Sequence, residues 1–396
     1  MHSNDLVLLS LYSPPHPAPS PRPSPSWGRG REEGGGEVGK EYRGIMNRQL
    51  LRIMSIGVLG LAVGLTVPLT SPAADEAQTL FNQGATHVNK GEFQEAAKAL
   101  QQALEVFPRF AAAHHLLGVV SFTGLQQPDQ AVTHLKKAVE LHPNFARAYF
   151  DLGLVYQHQK NLEAAKTALQ KALEIYPGFA DAQLNLAFAY DQLGERKQAI
   201  GAYQTVLKQD PNQLTARFNL ATLYDMQGDT DQATQQLQKL TSLDPQDANA
   251  WLLLAQLAEK SQRDPQAIEA YQKALEITPD LLDAHYALGY LMQAQDQPDQ
   301  AVSHFREVVR LNPKHAEAQL NLGVLLANLD KLDEAEQAYL AALKLNPRLV
   351  EGYYNLGVFY EFHRKDTDRA LEQYRKYIEL GGQDDRVKKL LKKVGS

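Results

Sequence analysis

Proline recurs along this chain at a spacing that limits the folds open to it. From residue 77 onward, eight prolines follow one another at intervals of 34 residues, apart from a single interval of 35. Each follows an apolar stretch, such as LEIYP at 173–177 or LKLNP at 343–347. Proline ends a helix because it lacks an N–H group and its ring clashes with the preceding turn. The spacing therefore predicts a tandem array of helical repeats. The prolines are Pro108, Pro143, Pro177, Pro211, Pro245, Pro279, Pro313 and Pro347.

Small residues recur with the same period. With each proline counted as position 32, position 8 is glycine or alanine, and position 7 is leucine in eight repeats. We expect each repeat to form two helices, helix A at positions 2–14 and helix B at 15–30. The small side chains would allow these two helices to cross closely. Two one-residue insertions are expected to lie in turns, at 126–130 and 364–368. Position 20 is alanine in all nine repeats: Ala96, Ala131, Ala165, Ala199, Ala233, Ala267, Ala301, Ala335 and Ala370.

This pattern resembles the tetratricopeptide repeat, and the resemblance covers residues 77 to about 382. It implies an all-α fold, a right-handed superhelical α-solenoid of antiparallel helix pairs, and a protein that binds other proteins. A single repeat leaves one apolar flank exposed, so neighbouring repeats must stack to bury it. We expect the solenoid over 74–382 and a capping helix over 383–396. The lysines of that last helix offer an alternative role, contact with anionic lipid or with a partner.

The chain before the repeats has a different composition. Residues 1–45 are rich in Pro, Ser and Gly, which predicts disorder, and we interpret them as a mis-assigned upstream extension. Residues 46–73 have the order of a signal peptide: two arginines, an apolar run over 53–69, and small residues before a cleavage site after Ala73. This predicts initiation at Met46 and a periplasmic or secreted protein. The alternative is an uncleaved inner-membrane anchor, although 17 apolar residues are near the short limit for a span.

Polar residues occupy position 6 of helix A in six of the nine repeats. At about 100° per residue, positions 4, 7, 8 and 11 form an apolar stripe, and positions 2, 6, 9 and 13 lie on the opposite, inner side. An amide can donate to and accept from the backbone of an extended peptide. The row resembles the asparagine ladder in the repeat region of O-linked N-acetylglucosamine transferase, and we expect the repeats here without that enzyme's catalytic domain. The predicted peptide-binding groove comprises Asn82, Asp151, Asn185, Asn219, Asn321 and Asn355.

The position-6 residues also admit two interpretations that involve no peptide. Such side chains often bond neighbouring backbone groups. They also recur simply because repeats arise by duplication.

Positions 2 and 12, on or beside this side, are rich in acids. Arg147, His158 and Lys260 are the few basic residues on or beside this side. The groove is therefore expected to prefer neutral or basic segments of partner proteins and to disfavour nucleic acid. The net charge of −6 gives no basic surface for nucleic acid either. The acids at positions 2 and 12 are Asp181, Asp191, Asp225, Glu259, Asp283, Glu317, Glu351 and Glu361.

Composition and motifs argue against catalysis. The chain has no cysteine, which excludes disulfides, thiolate metal ligands and a cysteine nucleophile. Its 12 histidines are scattered, and the adjacent His114 and His115 project about 100° apart on a helix. No H-E-x-x-H, G-x-S-x-G or S-x-x-K motif occurs. We expect no enzyme activity, no cofactor and no metal.

The functional expectation is an exported protein–protein interaction scaffold with a role in envelope assembly. One alternative is an accessory subunit that presents substrates to a separate glycosyltransferase. Another is a scaffold that assembles with itself. Membrane contact is expected only through an uncleaved N-terminal segment.

Overall fold

The computed structural model describes residues 72–394, and every regular element in that range is a helix. Residues 72–244 and 245–394 form two compact units, which are described separately. The first contains α1 (Pro72–Lys90), α2 (Phe93–Val106), α3 (Ala111–Thr123), α4 (Pro128–Leu141), α5 (Ala146–His158), α6 (Leu162–Ile175), α7 (Ala180–Gln192), α8 (Arg196–Gln209), α9 (Leu214–Gln227) and α10 (Thr230–Leu243). The second contains α11 (Ala248–Lys260), α12 (Asp264–Ile277), α13 (Leu282–Ala294), α14 (Pro298–Leu311), α15 (Ala316–Asn328), α16 (Leu332–Leu345), α17 (Val350–Val358), α18 (Thr367–Glu379) and α19 (Asp385–Val394).

Odd-numbered helices α1 to α17 are the A helices of the nine repeats, and even-numbered helices α2 to α18 are the B helices. Within each unit every A helix contacts its own B helix, and a B helix contacts the A helix that follows it in the same unit. This arrangement confirms the prediction of an all-α stack of helix pairs. Stacking is required because the apolar flank of each pair is covered only by its neighbours.

The turn from helix A to helix B has a left-handed residue at position 15. Gly194 and Gly228 supply it where glycine occurs, with φ of 75° and 81°, and Lys160 supplies it at φ 59°. The next N–H then bonds back into helix A: Asn161 N donates to the carbonyl of Tyr156 at 2.9 Å. This pairing satisfies carbonyls that the helix end would otherwise leave without partners.

Helices A and B of one repeat cross at the small residues. A Cβ added to Gly153 would lie 2.8 Å from Cγ of Leu169, and one added to Gly323 would lie 2.9 Å from Cδ1 of Tyr339. All nine position-20 alanines are buried. The close approach is therefore made by side chains at position 24 packing onto position 8, and larger residues there would force the helices apart.

One of the two insertions lies where it was expected and the other does not. The turn between α3 and α4 has four residues instead of three, so the first extra residue is in the turn. The second prediction is wrong, because α17 continues as a π-helical turn over Phe359–Arg364. A π turn accommodates one extra residue inside a helix. Phe359 and Tyr360 on that turn are buried, which holds the bulge in place.

Helix α19 covers α18 at the end of the described chain. The side chain of Asp384 begins it by accepting the N–H of Val387 at 2.8 Å. Val387 is buried, whereas Val394 is 47% exposed. The helix is therefore anchored through its first turn, and its lysine-rich end extends into solvent.

Candidate functional site

The six position-6 residues differ in exposure. Asp151, Asn185, Asn321 and Asn355 are 0%, 3%, 2% and 1% exposed, whereas Asn219 is half-buried and Asn82 is exposed. The expectation that all six are open to a groove is therefore wrong for four of them. The helical wheel considers one helix alone, but in this stack A helices contact one another, as α1 with α3, α3 with α5 and α5 with α7. Whether these residues bind a peptide stays a prediction.

Two of the buried amides bond to groups of the same or a neighbouring A helix. Asn321 Nδ2 donates to the hydroxyl of Tyr290 on α13 at 2.6 Å. Asn185 Nδ2 donates to the carbonyl of Asp181, one turn earlier on α7, at 2.8 Å. The backbone carbonyl of Asn185 in turn accepts Gln157 Nε2 of α5 at 3.0 Å. These contacts favour a structural role, in which the Asn321 amide joins adjacent A helices and the Asn185 amide bonds within its own helix.

Asp151 is the charged member of the row and lies in a buried ion cluster. Its Oδ2 accepts His115 Nε2 of α3 at 2.7 Å and Arg147 Nε of α5 at 3.0 Å. Burial by itself would raise the pKa of this carboxyl, but the charge of Arg147 and the hydrogen bonds from His115 and Arg147 lower it overall. Asp151 is therefore ionised and ties α3 to α5.

Asn82 and Asn219, the two more accessible members of the row, are held less firmly by their hydrogen bonds. The side-chain oxygen of Asn82 accepts Gln78 Nε2 within α1 at 3.0 Å. Asn219 Nδ2 of α9 donates to the hydroxyl of Tyr203 on α8 at 3.1 Å. Each leaves part of its amide toward solvent, so these two are the position-6 residues that a peptide reaches without rearrangement.

Several carboxylates are accessible at positions that the sequence assigns to or beside the inner side. In residues 245–394, Asp283, Glu317 and Glu351 are exposed at position 2 of three successive A helices. The pKa of Glu317 is lowered by the hydrogen bond from His315. In residues 72–244 the acids Asp181, Asp191 and Asp225 are half-buried. Both units thus present negative charge at the positions that the sequence singled out.

Some position-12 acids pair with the tyrosine at position 24 of the same repeat. The hydroxyl of Tyr271 donates to Glu259 Oε2 at 2.8 Å, and that of Tyr374 donates to Glu361 Oε2 at 2.6 Å. Both tyrosines are fully buried, and burial raises their pKa above the ordinary value. The sequence analysis did not predict this pairing. The signal for the pairing was the coincidence of an acid at position 12 with tyrosine at position 24.

Two histidine pairs join helix A to helix B and were also missed. His114 Nδ1 lies 3.2 Å from His134 Nδ1, and His285 Nδ1 lies 3.0 Å from His304 Nδ1. The Nε2 atoms of His114 and His285 contact the carbonyls of Pro108 and Pro279, at 3.1 Å and 2.9 Å. That contact places a proton on Nε2 and leaves Nδ1 as the acceptor for the second histidine. The signal was histidine at positions 4 and 23 of the same repeat.

The part of the chain that the structure describes contains no cluster of three or more potential metal ligands. Nor does any helix within 72–394 have the length and apolar character to cross a bilayer. Met46, the apolar run and the extension over 1–45 lie outside the described residues. The predicted cleavage site after Ala73 falls just inside α1.

Four family models match the repeats. Models described as tetratricopeptide repeat match residues 77–110, residues 158–213 and 194–257, and residues 121–180, 286–349 and 328–385. A fourth, described as TPR repeat, matches residues 260–296. Comparison with curated protein sequences gave no match.

Solved structures that match this chain include the following three. The C-terminal part of a TPR repeat-containing protein from Cytophaga hutchinsonii has a TM-score of 0.54 and 14% identity, over 63% of this chain and 99% of that one. PilF from Pseudomonas aeruginosa has a TM-score of 0.45 and 24% identity, over 53% and 95%. YrrB, described as a TPR protein with an unusual peptide-binding site, has a TM-score of 0.45 and 26% identity, over 49% and 100%.

Proposed function

The chain belongs to the tetratricopeptide repeat family and is a protein–protein interaction scaffold, and we propose that it is non-catalytic and binds extended, neutral or basic segments of partner proteins. The proposal places these segments on the inner side of the A helices. The observation that carries it is the row of exposed carboxylates at position 2 of three successive repeats, Asp283, Glu317 and Glu351. A row of like charges on a rigid scaffold attracts a segment of opposite charge.

The spacing of the row suits an extended polypeptide. Packed helices lie about 8–10 Å apart, and an extended chain rises about 3.3 Å per residue. Side chains on one face of an extended chain recur at every second residue, about 6.6–6.8 Å apart, and long basic side chains at such positions can reach successive carboxylates. Exposed ion pairs contribute only about 0.2–1 kcal/mol each, so affinity depends on several repeats acting together.

The position-6 residues have a divided role in this proposal. Asn82 and Asn219 are open to a bound backbone, whereas Asp151, Asn185, Asn321 and Asn355 shape the inner side by bonding within it. A peptide would reach the buried four only by replacing their present contacts, such as that between Asn321 and Tyr290.

We also propose that the protein is exported, with a role in envelope assembly. The support is the order of basic residues, apolar run and small residues over 46–73. Amino-terminal sequencing of the mature protein is expected to begin at Ala74. A mature protein that begins at Met1 or Met46 would contradict cleavage.

A peptide selection tests the binding proposal. Random peptides displayed on phage are selected on the wild type, on an inner-side variant (Asp283→Asn, Glu317→Gln, Glu351→Gln) and on a control variant. The control changes three exposed B-helix acids, Glu269→Gln, Asp368→Asn and Glu372→Gln, so the change in net charge is equal.

Basic peptides are expected from the wild type and from the control, with binding to the inner-side variant weaker by about tenfold, as expected for three exposed charges. Circular dichroism checks that all three proteins are equally helical. Equal enrichment of the same peptides on both variants, or selection of acidic peptides, would overturn the proposal.

A further inference from the structure

A groove lies between helices α2, α3 and α4 of the first two repeats, and we call it the α2–α4 groove. Its volume is about 570 Å³ and its lining is mainly polar, with Gln101 of α2 and Gln127 of the following turn exposed at its rim. The buried residues Ala97, Leu117 and Ser121 form its floor. A group that enters the groove therefore meets a largely apolar floor beneath a rim of side-chain amides.

In the repeats that follow, the equivalent space holds a tyrosine of the chain itself. Position 25 of each B helix and position 11 of the next A helix are 20 residues apart. Gln170 Nε2 of α6 donates to the hydroxyl of Tyr190 on α7 at 2.9 Å. Gln204 Nε2 of α8 donates in the same way to the hydroxyl of Tyr224 on α9, also at 2.9 Å. A glutamine at position 25 therefore binds the hydroxyl of a tyrosine at position 11.

The pair formed by α2 and α3 lacks this tyrosine. Gln101 is at position 25 of repeat 1, and the residue 20 positions later is Ser121. In repeat 3 the position-11 residue is again a tyrosine, Tyr156, whose ring centroid lies 5.9 Å from Lys136 Nζ at position 25. Because serine has no ring, the space that tyrosine fills in repeats 3 to 5 is left in repeat 2 as the α2–α4 groove.

We infer that the α2–α4 groove binds a tyrosine side chain of a partner polypeptide, whose hydroxyl accepts a hydrogen bond from Gln101 Nε2. A tyrosine ring is stabilised by burial, and its hydroxyl needs a polar partner once water is removed. A groove of this volume has room for a drug-sized ligand, so the residues beside the tyrosine fit as well. The Gln127 amide can donate to and accept from their backbone. The inference goes beyond the proposed function, which rests on position-2 acids in residues 245–394.

Two acetylated and amidated tripeptides, Gly-Tyr-Gly and Gly-Phe-Gly, test the inference. They differ only in the hydroxyl, and each is titrated into the full-length protein by ligand-observed NMR. The Ser121→Tyr variant restores the side chain of repeats 3 to 5 and fills the groove. Its matched control, Ser303→Tyr, adds a tyrosine at an exposed position of α14. The Gln101→Met variant removes the amide and keeps the length of the side chain. Circular dichroism checks that all variants are as helical as the wild type.

The wild type and Ser303→Tyr are expected to bind the tyrosine peptide about fivefold more tightly than the phenylalanine peptide, the effect of one hydrogen bond. Ser121→Tyr is expected to weaken binding of both peptides by about tenfold or more, because the ring of the peptide loses its burial. Gln101→Met is expected to abolish the preference for tyrosine.

A folded Ser121→Tyr protein that binds both peptides as the wild type does would overturn the inference. A preference for tyrosine that persists in Gln101→Met would also overturn it, and this comparison decides the matter alone if Ser121→Tyr does not fold. Absence of peptide binding to the wild type would overturn the inference and leave the proposed function intact, because that function is tested with variants in residues 245–394.

Discussion

The buried cluster of Asp151, His115 and Arg147 gives the sharpest prediction about what joins successive A helices. The change is Asp151→Leu, since leucine occupies position 6 of two other repeats, at Leu116 and Leu253. The new side chain fits the site sterically but leaves two basic groups without their anion. The side chains of His115 and Arg147 are only 15% and 12% exposed, so water restores little of what they lose.

The size of the effect follows from burial. Removing one partner of a buried ion pair costs about 3–5 kcal/mol because the remaining charge stays unpaired, whereas replacing the whole cluster with apolar groups is often neutral. We expect Asp151→Leu to cost about 3 kcal/mol, at the lower end because Arg147 also lies near Asp181. A triple variant with His115→Leu and Arg147→Gln added is expected to recover all but about 1 kcal/mol. These residues occur at positions 5 and 2 of other repeats.

Hydrogen exchange of the amides in α3 and α5 is the suitable assay, because long repeat arrays lose two-state behaviour. The loss of stability in the Asp151→Leu variant should also depend on pH. The pKa of Asp151 is lowered in the fold, so its contribution is complete above the ordinary value of 3.8 and is lost as pH falls through the lower folded value. Wild type and variant should therefore converge in strongly acidic solution.

Two results would refute this reasoning. Exchange in α3 and α5 that is unchanged by Asp151→Leu would mean that the carboxylate contributes nothing. A triple variant as unstable as the single one would mean that loss of packing, and not the unpaired charge, is responsible.

Other predictions concern local structure. Burial and the nearby His285 lower the pKa of His304 to about 4. The contribution of His304 to the free energy of unfolding should therefore fall as pH drops from about 6.5 to about 4. The urea midpoint of the His304→Gln variant should change less with pH over that interval, and an unchanged pH dependence would contradict this. Gly323→Ala should cost about 1–3 kcal/mol because the new Cβ meets Tyr339. In the matched control, Gly201→Ala, a Cβ at this exposed position of α8 has no neighbour within 4 Å. The free energy of unfolding should therefore rise by about 0.5–1 kcal/mol. Thermal unfolding compares the two, and a shift of the same sign in both would count against the packing argument.

The fold could be predicted from sequence because its determinants are local and repeated. The proline at position 32 and the alanine at position 20 recur in many repeats, so the agreement between repeats does not arise by chance. The π turn at Phe359–Arg364 could not be predicted, because one extra residue fits either a turn or a helix. Buried neighbours such as Phe359 decide between them, and they come from tertiary packing.

The candidate site could be predicted only in part. The period placed Asn321 and Asn185 on the side away from the leucines, but it contained no information on how closely the neighbouring A helix approaches. Because the neighbouring A helix approaches closely, four of the six residues are buried. The position-2 acids Asp283, Glu317 and Glu351 are exposed, whereas Asp181 at the same position is half-buried, a difference that the sequence period does not contain. Contacts between repeats, such as that of Asn321 with Tyr290, are visible only in three dimensions.

The central claim is that partner segments bind on the inner side of the A helices, and photo-crosslinking tests it most directly. A basic peptide from the selection, with a photoreactive group at its centre, is irradiated with the full-length protein, and mass spectrometry locates the linked residues. Links are expected on α13, α15 and α17, near Asp283, Glu317 and Glu351. Links confined to the exposed sides of the B helices α12, α14 and α16 would contradict the claim.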